Sequence, residues 1–144
     1  KLYYRLVTWR FPDGEWIKHN TDGDCKGNPS YNSYGFCLRD TKGDIIYAEA
    51  GFIGLTTNIV AEATTVLKAI QHGKNNNILN MQVESNSLII IKFIRAEWRI
   101  PWEIIEIIEN SLTLSKEMYV HYKHTYRECN QLADARANSV HGHS

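Results

Sequence analysis

Residues 57–70, Thr-Asn-Ile-Val-Ala-Glu-Ala-Thr-Thr-Val-Leu-Lys-Ala-Ile, mark the point at which the pattern of this chain changes from strand to helix. His72-Gly73 then indicates the C-terminus of the helix. Glu62 lies near the start of this predicted helix, among small and apolar neighbours. Apolar side chains recur at helical spacing, at Ile59, Ala63, Val66, Leu67 and Ile70.

Three strands are predicted before this helix. The first runs from Glu15 to Asp22, and residues 34–40 and 44–53 form the other two around a glycine-containing hairpin loop. Residues 1–14 are interpreted as an N-terminal lead-in that ends in a turn at Pro12-Asp13-Gly14. We therefore expect one domain over residues 15–144 that opens with an antiparallel meander.

The rest of the chain predicts two more strands and three more helices. Residues 78–84 and 118–124 have strand character. The first of these helices is capped by Asn86 or Ser87 and runs through Ile94, the second begins at Pro101 and reaches about Ser115, and the third spans Glu128 to Val140. This order indicates an α/β domain with a mixed sheet and helices on its faces.

The composition is that of an ordinary globular domain. The chain has 144 residues, 43% of them apolar and 22% charged. No apolar run approaches the roughly eighteen residues of a membrane span, so we expect no membrane partner. Sixteen basic residues balance sixteen acidic ones, so any binding of nucleic acid must come from local patches. Cys25, Cys37 and Cys129 lack zinc-ligand spacing and are interpreted as packing thiols of a reducing compartment.

Three acids and one amide form the candidate site. Asp22, Glu62 and Asp134 lie in separate predicted elements, and Asn86 follows the fourth strand. The strand order could bring these positions to one edge of the sheet, where like charges need a cation to coexist. Carboxylates are the hard ligands that suit Mg²⁺ or Mn²⁺. Taken singly, each acid also has an ordinary explanation, as a turn residue or a solvated helix acid.

Five segments, in this order along the chain, resemble a ribonuclease H domain. They are most similar to the reverse-transcriptase-like ribonuclease H group that is abundant in plants and often derived from non-LTR retroelements. Residues 8–16 match the usual N-terminal flank of that group. The resemblance implies a ribonuclease H-like α/β fold, with a five-stranded mixed sheet in the order βββαβαβα and helices on both faces. The segments are Trp16–Gly23, Lys26–Pro29, Thr57–Ala63, Val83–Ser87 and His124–Asp134.

The resemblance also implies a chemistry, which is hydrolysis of the RNA strand of RNA/DNA hybrids with two Mg²⁺ ions, for which Mn²⁺ can substitute. Asp22 would bridge both ions, and Asp134 would help to hold the ion that activates water. Glu62 and position 86 would hold the ion near the leaving group. The expected products carry a 5′-phosphate and a 3′-hydroxyl.

Supporting residues follow from the same resemblance. His124, ten residues before Asp134, would assist proton transfer or product release, although it could simply end a strand. Asn130 lies one helical turn before Asp134 and could contact substrate or orient that acid. Asn28 and Asn58 resemble residues that contact the minor groove and 2′-hydroxyls, with turn and helix-cap roles as their alternatives.

Asn86 stands where the family pattern has an aspartate. It keeps the shape of aspartate but not its charge, so strong or complete loss of cleavage is expected. Asparagine is also a good N-cap, so capping of the helix that starts here could explain why residue 86 is an asparagine. Asp24, two residues after Asp22, could restore part of the missing charge. The natural or engineered origin of Asn86 does not follow from the sequence.

Four functions are compatible with these features. The first is an endoribonuclease that acts on RNA/DNA hybrids and whose activity Asn86 strongly reduces. The second is an inactive hybrid-binding module. A nuclease or integrase acting on DNA alone is the third, and a protein-interaction domain is the last. We expect a monomeric, intracellular domain, with the nucleus as one location.

One basic and aromatic stretch lies outside these motifs. Residues 92–102, Lys-Phe-Ile-Arg-Ala-Glu-Trp-Arg-Ile-Pro-Trp, could bind a DNA backbone through their basic and aromatic side chains. Trp102 within it is interpreted as a core residue rather than a contact.

Overall fold

The computed structural model describes residues 4–12 and 29–125 of the chain. All ranges below refer to this part. The elements in chain order are β1 (Tyr4–Pro12), β2 (Ser30–Arg39), β3 (Ile45–Thr56), α1 (Asn58–Asn75), β4 (Asn80–Ser85), α2 (Leu88–Ile94), α3 (Trp102–Ser115) and β5 (Tyr119–His124).

The strands form one five-stranded mixed sheet in the order β3-β2-β1-β4-β5. The β1–β2 and β2–β3 pairs are antiparallel, whereas the β1–β4 and β4–β5 pairs are parallel. The predicted fold class is therefore confirmed. Because β1, β4 and β5 run in the same direction, their carboxyl ends meet at one edge of the sheet, which is where α/β folds gather ligand-binding groups.

The first strand that the structure describes lies within the segment predicted to be a lead-in. Tyr4–Pro12 forms the central strand, so the sheet begins inside the segment that we interpreted as a lead-in. This segment is rich in the β-branched and aromatic residues that favour strands. Its Val7 is 1% exposed and pairs with Cys37 on one side and Glu84 on the other. Residues 13–28, including the predicted strand from Glu15 to Asp22, lie outside the described residues.

Helix α1 extends beyond the predicted stop at His72-Gly73, because Gly73 serves packing rather than termination. A Cβ atom on Gly73 would lie 2.1 Å from Cε of Met81 and 3.3 Å from Cε of Met118. The helix ends instead at Asn75, where Asn77 adopts φ 58° and the backbone N–H of Ile78 donates to the Gly73 carbonyl at 2.9 Å. This is a Schellman ending, with asparagine in the left-handed position that usually takes glycine.

Helix α2 ends in the same way but with a less suitable residue. Ala96 has φ 61°, its N–H donates to the Phe93 carbonyl at 3.0 Å, and the N–H of Glu97 donates to the Lys92 carbonyl at 2.9 Å. The hydrogen-bond pattern is that of a Schellman motif, yet alanine carries a Cβ atom that disfavours the left-handed conformation.

The core lies between the sheet and the helices α1 and α3. Phe36, Met81 and Val83 of the sheet are fully buried in one cluster with Val66 and Ile70 of α1. Ile104 and Ile108, one turn apart on α3, join the same cluster. Cys37 is buried, as predicted for a packing thiol, while Cys25 and Cys129 lie outside the described residues. Among the helices described here, none combines the length and the apolar character needed to cross a membrane.

Candidate metal and hybrid-binding site

Glu62 of α1 and the segment Ser85-Asn86-Ser87 meet at the carboxyl end of β4. The Ser87 hydroxyl donates to Oε1 of Glu62 at 3.0 Å. These residues are 25 positions apart in sequence, so the contact depends on the packing of α1 against the sheet. The structure thus brings together two of the four positions predicted to hold a cation.

The cap of α2 is Ser87 and not Asn86. Ser87 has extended backbone angles, φ −96° and ψ 99°, and its Oγ accepts from the N–H of Ile90. The Ser87 N–H in turn donates to Oγ of Ser85 at 3.0 Å. Asn86 lies between these two serines and is exposed. The alternative that Asn86 is present as a helix cap is therefore wrong.

Neighbouring strands hold the end of β4 on both sides. On the β1 side, the Thr8 hydroxyl donates to the Glu84 carbonyl at 3.1 Å, and both residues are buried. On the β5 side, the Thr125 N–H donates to the Ser85 carbonyl at 2.9 Å. The backbone that presents Asn86 is therefore fixed to the sheet.

His124 lies at the same edge of the sheet. It pairs in register with Ser85, one residue before Asn86. It is partly buried and is the last residue of β5. His124 therefore ends a strand, as its alternative interpretation predicted. The end of that strand lies beside the segment that carries Asn86.

Asn58 is exposed in the first turn of α1, and the cap of this helix is Thr57. Its alternative role as a helix cap is therefore wrong. Asn58 is four residues before Glu62, a spacing that places two side chains on the same face of a helix. An exposed amide beside the site has the donor and acceptor groups that suit a 2′-hydroxyl.

The other predicted site residues lie outside the described residues. They are Asp22, Asn28, Asn130 and Asp134, together with Asp24. Within residues 4–12 and 29–125, no three His, Cys, Asp or Glu side chains form a group that could hold a metal ion. Two of the four expected ligands fall outside these ranges and a third is an amide, so Glu62 is the one predicted carboxylate ligand within them.

Glu84, an acid two residues before Asn86, was not among the predicted site residues. Strand alternation puts it on the opposite face of β4 from Val83 and Ser85. It is 4% exposed, with Nε of Arg5 at 3.1 Å from Oε2 and the Gln82 amide donating to the same oxygen at 2.7 Å. Its charge is therefore matched within the sheet, away from Glu62.

The basic and aromatic stretch of residues 92–102 presents its tryptophans to solvent. Trp98 is half exposed, and Nζ of Lys92 lies 5.5 Å from the centre of its ring. Trp102 is 84% exposed, so its interpretation as a core residue is wrong. The buried stripe of α3 consists instead of Ile104, Ile108 and Ser111, and Trp102 begins the helix outside that stripe.

A second group of titratable side chains lies where β2, β3 and α1 meet. The hydroxyls of Tyr34 and Tyr47 donate to Glu49 at 2.6 and 2.7 Å, and the His72 ring stacks on Tyr47 with 4.1 Å between centres. Burial favours a higher pKa for Glu49, but the two tyrosine hydrogen bonds, with smaller effects of His72 and Lys68, outweigh it and lower the pKa. Burial lowers the pKa of His72, against the opposing charge of Glu49.

Comparison with known proteins agrees with this architecture. A family model described as reverse transcriptase-like matches residues 20–140. A putative ribonuclease H protein of Arabidopsis thaliana is 30% identical over 136 residues, which is 93% of this chain and 22% of that protein. The chain thus spans about a fifth of the length of this relative.

Two solved structures share the fold at low sequence identity. The N-terminal ribonuclease H domain of a Mycobacterium tuberculosis protein superposes with a TM-score of 0.79 at 16% identity, over 96% of this chain and 93% of that one. The ribonuclease H1 named LC11, isolated from compost and solved in complex with an RNA/DNA hybrid, gives 0.76 at 22% identity, over 94% of each chain.

Proposed function

Because the chain belongs to the reverse transcriptase-like family of ribonuclease H domains, we propose that it binds RNA/DNA hybrids at the carboxyl end of β4. We propose further that this site has the design of an endoribonuclease that cuts the RNA strand with two divalent cations. The observation that carries the proposal is the contact of Glu62 with Ser87, the residue next to Asn86, at the edge of the sheet where β4 and β5 end.

The donors that the structure describes fit a hard cation. Glu62 supplies a carboxylate and Asn86 an amide oxygen, and oxygen donors are what Mg²⁺ and Mn²⁺ prefer. Asp22 and Asp134 would complete the ligand set. When bound, two such ions would stabilise both the attacking and the leaving oxygens of an in-line displacement.

The other residues of the site have roles in binding and proton transfer. Asn58, with Asn28 and Asn130, would contact the sugar edge of the hybrid, where an amide can both donate to and accept from a 2′-hydroxyl. His124 is placed beside Ser85 to deliver a proton to the leaving oxygen or to assist product release. Trp98 and Trp102 are exposed and would contact the strand that is not cut.

Asn86 reduces turnover through chemistry rather than through folding. Ser87 caps α2 and the strands fix the backbone on both sides, so the frame of the site does not depend on the side chain of residue 86. A neutral amide holds a divalent cation less well than a carboxylate does. The second candidate function is a hybrid-binding module without turnover. It rests on the same observation, since the backbone around residue 86 is held in place while the negative charge of an aspartate is missing there.

The decisive experiment measures cleavage and binding of a labelled RNA/DNA hybrid in Mg²⁺ and in Mn²⁺. We expect Asn86→Asp to cleave at least about 100-fold faster than the chain with Asn86, because a direct ligand matters more than the outer partners whose loss typically costs 10–100-fold. Asn110→Asp on the exposed side of α3 is the matched control and should change neither rate nor affinity.

The results of this experiment distinguish the enzyme from the hybrid-binding module and from a DNA nuclease. Binding without cleavage by Asn86→Asp would leave the hybrid-binding module and remove the enzyme. Equal cutting of duplex DNA would favour a DNA nuclease of the same fold. If neither form prefers the hybrid to duplex DNA, both proposed functions are wrong.

We also propose that the domain acts as a monomer inside the cell, with the nucleus as one location. Sedimentation of the purified chain and imaging of a tagged full-length protein test these two statements separately. A stable dimer, or secretion of the tagged protein, would contradict them.

A further inference from the structure

The hydroxyl of Ser87 has two partners, and together they fix the direction of its proton. A backbone N–H can only donate, so Oγ of Ser87 accepts from Ile90 through a lone pair. A glutamate carboxylate accepts, so the Ser87 proton is directed to Oε1 of Glu62 at 3.0 Å. One hydroxyl therefore caps α2 and bonds to an acid on α1.

The surroundings of Ser87 make this contact a fixed one. Ser87 is 9% exposed, and its own N–H is held by Oγ of Ser85. The Ser85 carbonyl is in turn held by Thr125 of the chain that leaves β5. Glu62 has a longer, partly buried side chain on α1, and ordering such a side chain costs up to about 1.5–2 kcal/mol of conformational entropy.

We propose that Ser87 is a positioning residue, which holds the Glu62 carboxylate at a set place relative to residue 86 so that both can bind one cation. This inference rests on the proposed metal-binding function. Its physical basis is that a hydrogen bond from a rigid donor pre-orders a flexible ligand, and outer partners of this kind typically change metal affinity about 10–100-fold. The residue next to Asn86 would thus set the distance between a ligand on α1 and a ligand at the end of β4.

The test measures Mn²⁺ affinity by titration calorimetry in the chain with Asn86 and in the Asn86→Asp form. Ser87→Gly removes the hydroxyl at little cost to the helix, since glycine at an N-cap costs only a few tenths of a kcal/mol relative to serine. Ser87→Thr keeps a hydroxyl that can cap and donate. Ser111→Ala removes another buried serine hydroxyl, which bonds the Ile107 carbonyl at 3.1 Å on α3, away from Glu62.

We expect Ser87→Gly to weaken Mn²⁺ binding by about 10–100-fold, Ser87→Thr to restore most of it, and Ser111→Ala to leave it unchanged. With an Asn86→Asp form that cleaves, Ser87→Gly should lower kcat and leave KM for the hybrid nearly constant.

Two results overturn the inference. If Mn²⁺ binds equally well after Ser87→Gly, or if Ser87→Thr fails to restore binding, Ser87 does not position Glu62, and the proposed function stands without it. If the Asn86→Asp form with Ser87 intact binds no Mn²⁺, the metal-dependent function itself fails and the inference fails with it.

Discussion

At the scale of single residues, small chemical differences decide what this site can do. Asn86 differs from aspartate by one charge, and the structure shows that this residue neither caps a helix nor packs in the core. We therefore propose that its effect is on ligand binding and not on folding. Trp102 is the opposite case, because a side chain predicted to stabilise the core is 84% exposed and available for contact.

Trp102 provides a prediction at this scale. Trp102→Ala should weaken hybrid binding by about 1–3 kcal/mol if the ring contacts bases of the uncut strand, which is the usual range for stacking contacts. The unfolding midpoint should hardly change, since the side chain is largely in solvent. Fluorescence anisotropy with a labelled hybrid and urea unfolding measure the two quantities.

Tyr119→Ala is the control for Trp102, because Tyr119 is also a highly exposed aromatic residue but lies at the start of β5. It should not alter hybrid affinity. If Trp102→Ala destabilises the fold and leaves binding intact, the assignment of Trp102 as a substrate contact is wrong.

At the scale of elements, helix endings carry strain that the sequence pattern does not reveal. Both α1 and α2 end in Schellman motifs, but neither has glycine in the left-handed position. Asn77 tolerates that conformation because asparagine adopts it more readily than most residues. Ala96 does not, and it closes the helix that begins at the candidate site.

Ala96→Gly should therefore stabilise the domain by about 1 kcal/mol, because glycine removes the steric cost of the left-handed conformation. Asn77→Gly is the matched change at the end of α1 and should give a smaller gain. Urea unfolding of both variants measures the difference. A loss of stability in Ala96→Gly would show that the φ of 61° is not maintained in solution.

At the scale of the whole molecule, stability should depend on pH through the cluster of Tyr34, Tyr47, Glu49 and His72, with Lys68 beside it. Burial lowers the pKa of His72 in the native state. The unfolded chain therefore binds more protons as the pH falls through about 6.5, and the free energy of unfolding decreases. The lowered pKa of Glu49 acts in the same direction at lower pH, since its contribution is lost below about 4.5.

His72→Phe keeps a ring to stack on Tyr47 and removes the titration. We expect its free energy of unfolding to fall less between pH 7.5 and pH 5.5 than that of the unsubstituted chain. His121→Phe is the control, because His121 is an exposed histidine on β5. The assignment of this pH dependence to His72 is contradicted if His121→Phe reduces the change in the free energy of unfolding as much as His72→Phe does.

Local sequence features were sufficient for most of the fold. From Ser30 to His124, the order of strands and helices agrees with the prediction, because strand and helix periodicity depend on neighbours a few residues apart. The predicted last helix, Glu128 to Val140, lies outside the described residues. The placement of Glu62 in the first turns of α1, and of residue 86 just after β4, was determined in the same way. The family resemblance then supplied the expected chemistry of these positions.

Only the tertiary structure decided which segments contact one another. Tyr4–Pro12 pairs with both β2 and β4, although its local sequence did not distinguish it from a lead-in. Gly73 faces Met81 instead of ending a helix, and Ser87 bonds to Glu62 across 25 residues. These contacts are non-local, and their free energy comes from packing and burial that no short window of sequence contains.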